Sequence, residues 1–347
     1  MLTRRGCDIA LRMERRQAAR ARARLSAEVR RFFTSRLYEE VETPCLVPAP
    51  GMEPHIAAFC APFEPEGGGA PRPLWLHTSP EYAMKRLLAD GFERIFQLAR
   101  VFRNGEVSAT HNPEFTMLEF YRAGTSYDGI MEDLEQLVAD AAVALCGSSY
   151  LRWRGVALDL AAPFERVTMR DAFRARAGVD LDGCGGDVSR LRDAARDAGL
   201  DPGRPDDTFD DLFFRIFLEK VEPGLGAPRP VFLTEWPASM AALSKVKAGD
   251  ARWAERFELF AAGLELANGF TELTDASEQR RRLVEEQDVR RRLGREVYPL
   301  DEAFLGAIAR MPEAGGVAVG FDRLLMLLTG AVSIRDVLLF PAEDFLR

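Results

Sequence analysis

The sequence predicts an α+β fold in which an antiparallel sheet is flanked by helices. The strand-like segments cluster in hairpins, as RIFQLARVFR followed by EFTMLEFYR, and do not alternate singly with helices. The chain has 347 residues and is 47% hydrophobic, which is enough to bury a sizeable core. We therefore expect one domain over residues 1–347, with a mainly helical, polar insertion over residues 168–222.

The elements can be placed in order from the hydrophobic periodicity and the capping residues. Residues 1–36 predict a basic helix whose inward face holds Leu25, Val29, Phe32 and Phe33. Further predictions are a strand in VETPCLVP, a strand and helix in LWLHTSPEYAMKRLLADG with a cap near Ser79, a helix over 131–146, strands in PVFLTEWP and RFELFAAGLELANGFTEL, a helix in EQRRRLVEEQDVRRRLG, and a strand and helix in GGVAVGFDRLLMLLTG.

Charge and composition restrict the possible functions. The net charge is -8, yet the first 36 residues contain eleven arginines against Asp8, Glu14 and Glu28. This basic segment is typical either of a solvated helix face or of a docking surface for an acidic protein or nucleic acid. No apolar run is long enough to cross a bilayer, and the five cysteines contain no C-x-x-C pair. We expect a cytoplasmic protein with reduced thiols and no membrane partner.

Polar and aromatic residues share one face of the strand in EFTMLEFYR. Because side chains alternate along a strand, Phe115, Met117, Glu119 and Tyr121 point to the same side. A carboxylate, a phenol and a phenyl ring in series indicate either a half-wet face or a pocket. The preceding HNPEF, with its single histidine, is by itself more typical of an ordinary turn.

Two carboxylates converge in ERFELFAAGLELANGFTEL if Ala262-Gly263 forms a two-residue hairpin turn. Phe260 would then face Glu265, and Glu258 would face Ala267, which makes Glu258 and Glu265 diagonal neighbours on one face. An all-oxygen pair suits Mg²⁺. The alternative is a pair of solvated glutamates.

The segment GGVAVGFDRLLMLL joins a strand of small residues to a helix that begins near Arg323. Small residues allow another group to approach the backbone, and a guanidinium can stack on a flat ring or pair with phosphate. A tight strand-to-helix joint with Asp322 as the helix cap explains the segment equally well.

Together these stretches resemble the signature motifs of class II aminoacyl-tRNA synthetases of the lysyl type. FFTSRLYEEVETPCLVP resembles motif 1, FRNGEVSATHNPEFTMLEFYR motif 2 and GGVAVGFDRLLMLL motif 3. Motif 1 begins almost at the start of the chain, so we expect no anticodon-binding domain. In this the chain resembles the truncated paralogues that attach (R)-β-lysine to a lysine of translation elongation factor P.

The resemblance implies an enzyme that activates lysine or (R)-β-lysine with ATP and Mg²⁺ and transfers it to elongation factor P. It implies a homodimer formed through motif 1, and tRNA is not expected as a partner. The implied catalytic residues are Arg103, Glu258, Glu265 and Arg323, with Glu258 and Glu265 holding the metal. The implied ATP contacts are Arg103, Asn104, Gly105, Glu106, His111, Asn112, Phe115, Glu265, Leu266, Gly320 and Arg323, with Phe115 and Arg323 on the two faces of adenine. The implied amino-acid pocket contains Ser79, Pro80, Glu81, Glu119, Tyr121, Asn268, Glu272 and Ala318.

Two positions depart from the lysyl pattern. Gly105 stands where motif 2 often has glutamate, and Glu106 follows one place later as its expected substitute. Ala318 stands where lysyl-tRNA synthetases typically have glycine, which suggests a pocket reshaped for a displaced amino group. The alternative functions are a minimal synthetase that acylates tRNA or a small metabolite, and a catalytically inactive regulatory paralogue.

Overall fold

A large mixed sheet runs through the molecule. The structure is a computed structural model, which describes residues 13–346 of the chain. The strands, in chain order, are β1 (Glu39–Glu40), β2 (Leu46–Val47), β3 (Phe59–Cys60), β4 (Trp75–Leu76), β5 (Arg94–Phe102), β6 (Glu114–Ala123), β7 (Tyr150–Trp153), β8 (Val156–Asp159), β9 (Glu165–Thr168), β10 (Val231–Pro237), β11 (Trp253–Ala261), β12 (Leu264–Thr271) and β13 (Ala314–Gly320). The α-helices are α1 (Arg15–Ser35), α2 (Glu81–Ala89), α3 (Tyr127–Cys146), α4 (Met169–Ala177), α5 (Leu181–Cys184), α6 (Val188–Asp197), α7 (Phe209–Ile216), α8 (Ala276–Arg292), α9 (Glu302–Ile308) and α10 (Phe321–Thr329).

The strand order of the large sheet is β1-β5-β6-β13-β12-β11-β10-β9. The strands from β5 to β10 pair antiparallel with their neighbours, whereas β1 on β5 and β9 on β10 are parallel pairs at the two edges. The predicted α+β class is thus confirmed, but the sheet is mixed at its edges. A parallel pair needs a long crossover connection, and the helices α4 to α7 lie between β9 and β10 in the chain.

The helices α4 to α7 pack around an aromatic cluster that is separate from the main core. The rings of Phe173 and Phe213 stack with their centroids 4.7 Å apart, and Phe217 stacks on Phe213 at 6.2 Å. Trp236 of β10 also contacts this cluster. The segment that interrupts the sheet therefore packs its apolar side chains against one face of β10 and β11.

Helix α1 buries the expected apolar side chains, since Leu25, Val29, Phe32 and Phe33 have no exposed surface. The part of the predicted helix before residue 13 lies outside the described residues. Several arginines of α1 contact the body of the protein: Arg22 pairs with Asp322, Arg24 donates to the Ala144 carbonyl at 2.6 Å, and Arg30 pairs with Glu40 at 2.8 Å. Docking of an acidic partner on this helix stays a prediction.

Two element boundaries differ from the sequence-based prediction. VETPCLVP is not one strand, because only Leu46–Val47 pairs there, with β4 of a small three-stranded sheet. Helix α3 begins at Tyr127, four residues before the predicted start, because the Ser126 hydroxyl caps it by accepting from the Asp128 amide at 3.2 Å. Within residues 13–346, no helix is both long and apolar enough to span a bilayer.

Asp322 does not cap helix α10, contrary to the alternative that the sequence allowed. Gly320 occupies the cap position, and no side chain bonds to the helix N-terminus there. The carboxylate of Asp322, which is 1% exposed, instead accepts from the Thr116 amide of β6 at 2.7 Å and pairs with Arg22 of α1. Asp322 thus ties three elements together beneath the sheet.

We expect Asp322→Ala to lower the free energy of unfolding by about 2 to 3 kcal/mol, because it leaves the Thr116 amide and the Arg22 guanidinium without their shared acceptor. Chemical denaturation measures this loss. Asp193→Ala, which removes an exposed pair with Arg196, is the control and should change stability by less than about 1 kcal/mol. Equal effects of the two substitutions would contradict the role of Asp322.

Candidate active site

One face of the sheet carries a row of predicted site residues across four neighbouring strands. Glu119 of β6 lies opposite Ala318 of β13, Ala318 opposite Asn268 of β12, and Asn268 opposite Glu258 of β11. A second row, two residues along, contains Tyr121, Gly316 and Phe270. Because side chains two apart share a face, both rows point to the same side of the sheet.

These rows line a small pocket of about 60 Å³. Its lining consists of Glu53, Ser79, Glu81, Arg103, Met117, Glu119, Tyr121, Asn268, Phe270, Gly316, Val317 and Ala318. Gly316 has to be glycine, since a Cβ there would lie 2.3 Å from the Tyr121 ring and 2.5 Å from Glu272 Oε1. The small residues of β13 therefore form the floor of the pocket.

The pocket is rich in buried carboxylates. Glu119 accepts from the Ser79 hydroxyl at 2.7 Å, but its Oε2 is buried without a partner, as is Oε1 of Glu272. Burial raises the pKa of Glu119 well above its usual range, and Glu81 raises it further. Burial also raises the pKa of Glu272 to about 8, although Lys85 opposes the rise. Unpartnered buried carboxylates favour a ligand that brings positive charge.

Lys85 of helix α2 holds two of these carboxylates and was missed by the sequence analysis. Its ammonium group has no exposed surface and lies 2.6 Å from Glu272 Oε2 and 2.5 Å from Glu81 Oε1. Burial lowers the pKa of Lys85, but Glu272 and Glu81 more than offset this, so the pKa lies above its usual value. The spacing of Glu81 and Lys85, four residues apart on a helix, was the available signal.

Arg103 presents a guanidinium with an unpartnered Nε beside the carboxylates. Its Nε is buried without a hydrogen-bond partner, and its guanidinium carbon lies 5.2 Å from the centroid of the Phe115 ring. The backbone of Arg103 is fixed by donation to the Pro113 carbonyl at 2.8 Å. This side chain is positioned to receive an anion at the pocket.

The hairpin of β11 and β12 turns at Ala262-Gly263, as predicted, with φ of 49° and 73°. Phe260 faces Glu265, also as predicted, but Glu258 faces Asn268 and not Ala267. The pairing shifts by one residue at Leu266, a bulge that alternation alone does not reveal. The predicted partner of Glu258 was therefore wrong, whereas Glu265, opposite Phe260, lies diagonal to Glu258 on one face as predicted.

Glu258 and Glu265 still influence one another and each pairs with an arginine. Arg256 contacts Glu258 at 2.6 Å, and Arg323 contacts Glu265 at 3.1 Å. Burial raises the pKa of Glu258 to about 8; Arg256 opposes this shift, whereas Glu265 and Glu222 add to it. Arg256 also donates to the Asn268 side chain at 3.0 Å, which connects Glu258 to the pocket.

His111 and Arg323, distant in sequence, meet beside Glu265. Nε2 of His111 accepts from Arg323 Nη2 at 2.7 Å, so the ring proton is on Nδ1, which donates to the Ser108 hydroxyl at 2.7 Å. Burial lowers the pKa of His111, and the Arg323 charge lowers it further. The imidazole is therefore neutral at neutral pH.

This lowered pKa predicts a pH dependence of stability. The unfolded chain binds a proton at His111 more readily than the folded one, so stability from this group is full above about pH 6.5 and is lost as the pH falls. We expect His111→Gln to show a smaller loss of unfolding free energy than the wild type between about pH 7.5 and pH 5.5 in urea denaturation. The exposed His55 provides the control, since His55→Gln should keep the wild-type dependence. Identical pH profiles for His111→Gln and the wild type would contradict this prediction.

The remaining predicted residues occupy the rim or the framework of the site. Asn104 is exposed, and Gly320 and Pro80 are the cap residues that precede α10 and α2. The side chain of Leu266 lies in the main core, which leaves only its backbone for a ligand. The amide of Asn112 is buried, donating to the Glu114 carbonyl at 2.6 Å and accepting from the Ala342 amide at 2.9 Å, so contact with a nucleotide would cost these bonds.

The departure at Gly105 has a conformational reason. Its φ of 86° lies in the left-handed region, which glycine adopts without strain. Glu106 is half-buried and lies close enough to His111 to oppose the lowering of the His111 pKa by burial and Arg323. The loop therefore brings the displaced carboxylate toward the same cluster.

The sequence model of the class II tRNA synthetases for aspartate, lysine and asparagine matches residues 1–344. The chain belongs to the class II aminoacyl-tRNA synthetases. Among its relatives in this family is an elongation factor P–(R)-β-lysine ligase of Histophilus somni (strain 2336), 40% identical over 93% of this chain and 94% of that protein. A ligase of the same name from Salmonella paratyphi B is 41% identical over 93% of this chain and 94% of its own length.

Full-length synthetases of the family are also similar. A lysine–tRNA ligase of Prochlorococcus marinus is 37% identical over 96% of this chain. The chain spans only 65% of that enzyme's length, whereas it spans nearly all of the elongation factor P ligases. The length that this chain matches is therefore nearly all of the elongation factor P ligases and about two thirds of the lysine–tRNA ligase.

Proposed function

We propose that this protein is an ATP-dependent ligase that activates (R)-β-lysine or lysine and transfers it to a lysine side chain of elongation factor P. The observation that carries the proposal is the buried Nε of Arg103, without a hydrogen-bond partner, at a pocket of buried carboxylates. Such a pocket suits a substrate with two ammonium groups and one carboxylate. The similarity in length and sequence to the elongation factor P ligases supports the choice of acceptor.

In the first step, a carboxylate oxygen of the amino acid bonds to the α-phosphorus of ATP, and the bond from phosphorus to pyrophosphate breaks. Arg103 binds the carboxylate and the α-phosphate, which aligns the two reacting groups and offsets their charge. Glu119 and Glu272 hold ammonium groups in the pocket. His111 binds the outer phosphates. Phe115 and Arg323 stack on the two faces of the adenine ring, once Arg323 has left its pair with Glu265.

In the second step, the amine of the acceptor lysine attacks the acyl carbon, an amide bond forms, and AMP leaves with its oxygen. The attacking amine must lose a proton, which solvent or the departing phosphate takes up. A protein acceptor has only to present its amine at the adenylate. The transfer therefore does not require tRNA. We propose that it takes place in the cytoplasm, with elongation factor P as the partner.

The residues of β11 and β12 fit a divalent cation. Among residues 13–346 no three or more histidine, cysteine or acidic side chains converge on a metal site. However, Mg²⁺ in nucleotide enzymes typically takes one or two carboxylates together with substrate phosphates. Glu258 and Glu265 would hold the cation, since Glu258 is buried and is unfavourable as an anion without a cation. When bound, the cation would neutralise phosphate charge.

Transfer of radiolabel from (R)-β-lysine and from lysine tests the proposal. Purified protein, ATP and Mg²⁺ are incubated with elongation factor P and, in parallel, with bulk tRNA. We expect label on the factor, stronger with (R)-β-lysine. Label on tRNA alone would favour the minimal synthetase, to which the similarity with lysine–tRNA ligases points. Absence of ATP–pyrophosphate exchange with either amino acid would favour the inactive paralogue.

We also propose that the protein forms a homodimer through the motif 1 region, α1 and β1. The proposal rests on the resemblance of FFTSRLYEEVETPCLVP to motif 1, and the exposed Leu37 lies within this stretch. Light scattering on the purified protein should then give a mass of about twice the 38.7 kDa of one chain.

A further inference from the structure

Glu53 lines the amino-acid pocket but belongs to none of the three signature motifs. It lies on the connection between β2 and β3, whose backbone is fixed from below. Arg290, 1% exposed, donates from Nη1 to the Glu53 carbonyl at 2.8 Å and to the Ile56 carbonyl at 2.9 Å. The Tyr298 hydroxyl accepts from the Ala58 amide at 2.8 Å. The position of the Glu53 backbone is therefore imposed by the rest of the fold.

The Glu53 carboxylate is aimed into the pocket without a partner of its own. Its Oε2 is buried and makes no hydrogen bond. A Cβ on Gly51 would lie 2.3 Å from that oxygen and 3.0 Å from Thr78 Oγ1, so glycine at position 51 leaves the space that the carboxylate occupies. Burial raises the pKa of Glu53, and Glu81 adds to the rise. The buried Oε2 of Glu53 therefore lacks a cationic donor that would offset the cost of its burial.

Glu53 lies at the Arg103 end of the pocket. The Asn104 amide, next to Arg103, donates at 2.7 Å to the Ala57 carbonyl of the loop that carries Glu53, whereas Glu119 accepts from the Ser79 hydroxyl. Arg103 is the group that receives the reacting carboxylate in the proposed reaction. An ammonium on the carbon next to that carboxylate, or one carbon further, would therefore lie near Glu53, and the terminal ammonium near Glu119.

We propose that Glu53 binds the ammonium group nearest the reacting carboxylate and thereby contributes to the choice between lysine and (R)-β-lysine. The inference rests on the proposed amino-acid activation. Moving this ammonium by one carbon shifts it by about 1.5 Å, which is enough to break or make a charged hydrogen bond. The Glu53 carboxylate, at this end of the pocket, is thus placed to read its position.

Glu53→Gln tests the proposal in ATP–pyrophosphate exchange with lysine and (R)-β-lysine, with 6-aminohexanoate as a competing ligand. This ligand has the length and terminal ammonium of lysine but lacks the ammonium near the carboxylate. We expect the KM of the preferred amino acid to rise between about 10-fold and 100-fold. The inhibition constant of 6-aminohexanoate should stay within about 2-fold, because it has nothing to lose at Glu53.

Two further variants separate binding from a structural effect. Gly51→Ala should displace the Glu53 carboxylate and produce the same selective loss, and Glu53→Asp should restore part of the affinity. Glu135→Gln is the matched control, since Glu135 is also buried but accepts from the Phe164 amide away from the pocket. Its kinetic constants should equal those of the wild type.

The outcomes distinguish this inference from the proposed function. If Glu53→Gln weakens lysine, (R)-β-lysine and 6-aminohexanoate equally, or weakens none of them, Glu53 does not bind the proximal ammonium. If the wild type exchanges pyrophosphate with neither amino acid, the proposed function fails, and the inference about Glu53 fails with it.

Discussion

Arg103→Ala is expected to reduce ATP–pyrophosphate exchange by about 100-fold to 1000-fold, the effect of removing a preorganised donor from a developing anionic centre. The guanidinium is the cationic group available to the reacting carboxylate beside Glu53, Glu81 and Glu119. Without it, these carboxylates would repel the substrate carboxylate and the α-phosphate. The loss should appear in kcat as well as in KM, because the alignment of both reacting groups depends on the same side chain.

Stability provides the independent check on this substitution. Within residues 13–346 the Arg103 side chain makes no hydrogen bond or ion pair, so its removal should change the unfolding free energy by less than about 1 kcal/mol. Arg100→Ala is the control, because Arg100 belongs to the adjoining strand β5 and its side chain is exposed. Exchange at the wild-type rate by Arg103→Ala, or an equal loss in Arg100→Ala, would contradict the assigned role.

Lys85→Met is expected to lower the free energy of unfolding by about 3 to 5 kcal/mol, the cost of leaving buried charges without their partner. Methionine nearly matches the volume of the lysine stem, so loss of packing makes a small contribution. Glu81 and Glu272 would then share a buried site with no cation between them. Guanidinium denaturation measures the loss, and Lys220→Met, at an exposed pair with Glu219, should cost less than about 1 kcal/mol.

The destabilisation by Lys85→Met should be greater at about pH 8 than at about pH 6. Without the ammonium, the folded state favours the protonated carboxyl groups, whereas the unfolded chain releases these protons near pH 4.5. The folded variant therefore binds more protons than the unfolded one across this range, and its stability falls as the pH rises. A loss of stability that is independent of pH would show that packing, and not charge, explains the effect.

The predictable part of the site follows from rules that act within one strand or one turn. Glu119 and Tyr121 share a face because side chains alternate, and the turn at Ala262-Gly263 follows from a local preference for positive φ. The same local rule failed at Glu258, because the bulge at Leu266 shifts the pairing by one residue. Nothing in the alternation of ELANGF marks which residue is left unpaired.

The residues that were missed are those whose role depends on distant segments. Lys85 becomes significant when β12 places Glu272 against it, and Glu53 when Arg290 of α8 holds its loop at the pocket. Asp322, expected as a cap by one interpretation, instead contacts β6 and α1. A buried carboxylate takes whichever donor the packing brings to it, and this donor is not a property of its own neighbours in sequence.

The sequence by itself determined the α+β class, the family through its three motifs, and the face of β6 that carries the polar residues. Periodicity, turn chemistry and motif spacing act over a few residues and are written directly in the chain. Only the tertiary structure decided the parallel strands at the sheet edges, the register of Glu258 and the charges that surround Arg103, Lys85 and Glu53. These depend on long-range packing and burial, because the pKa and the partner of a buried group are set by every segment that excludes water from it.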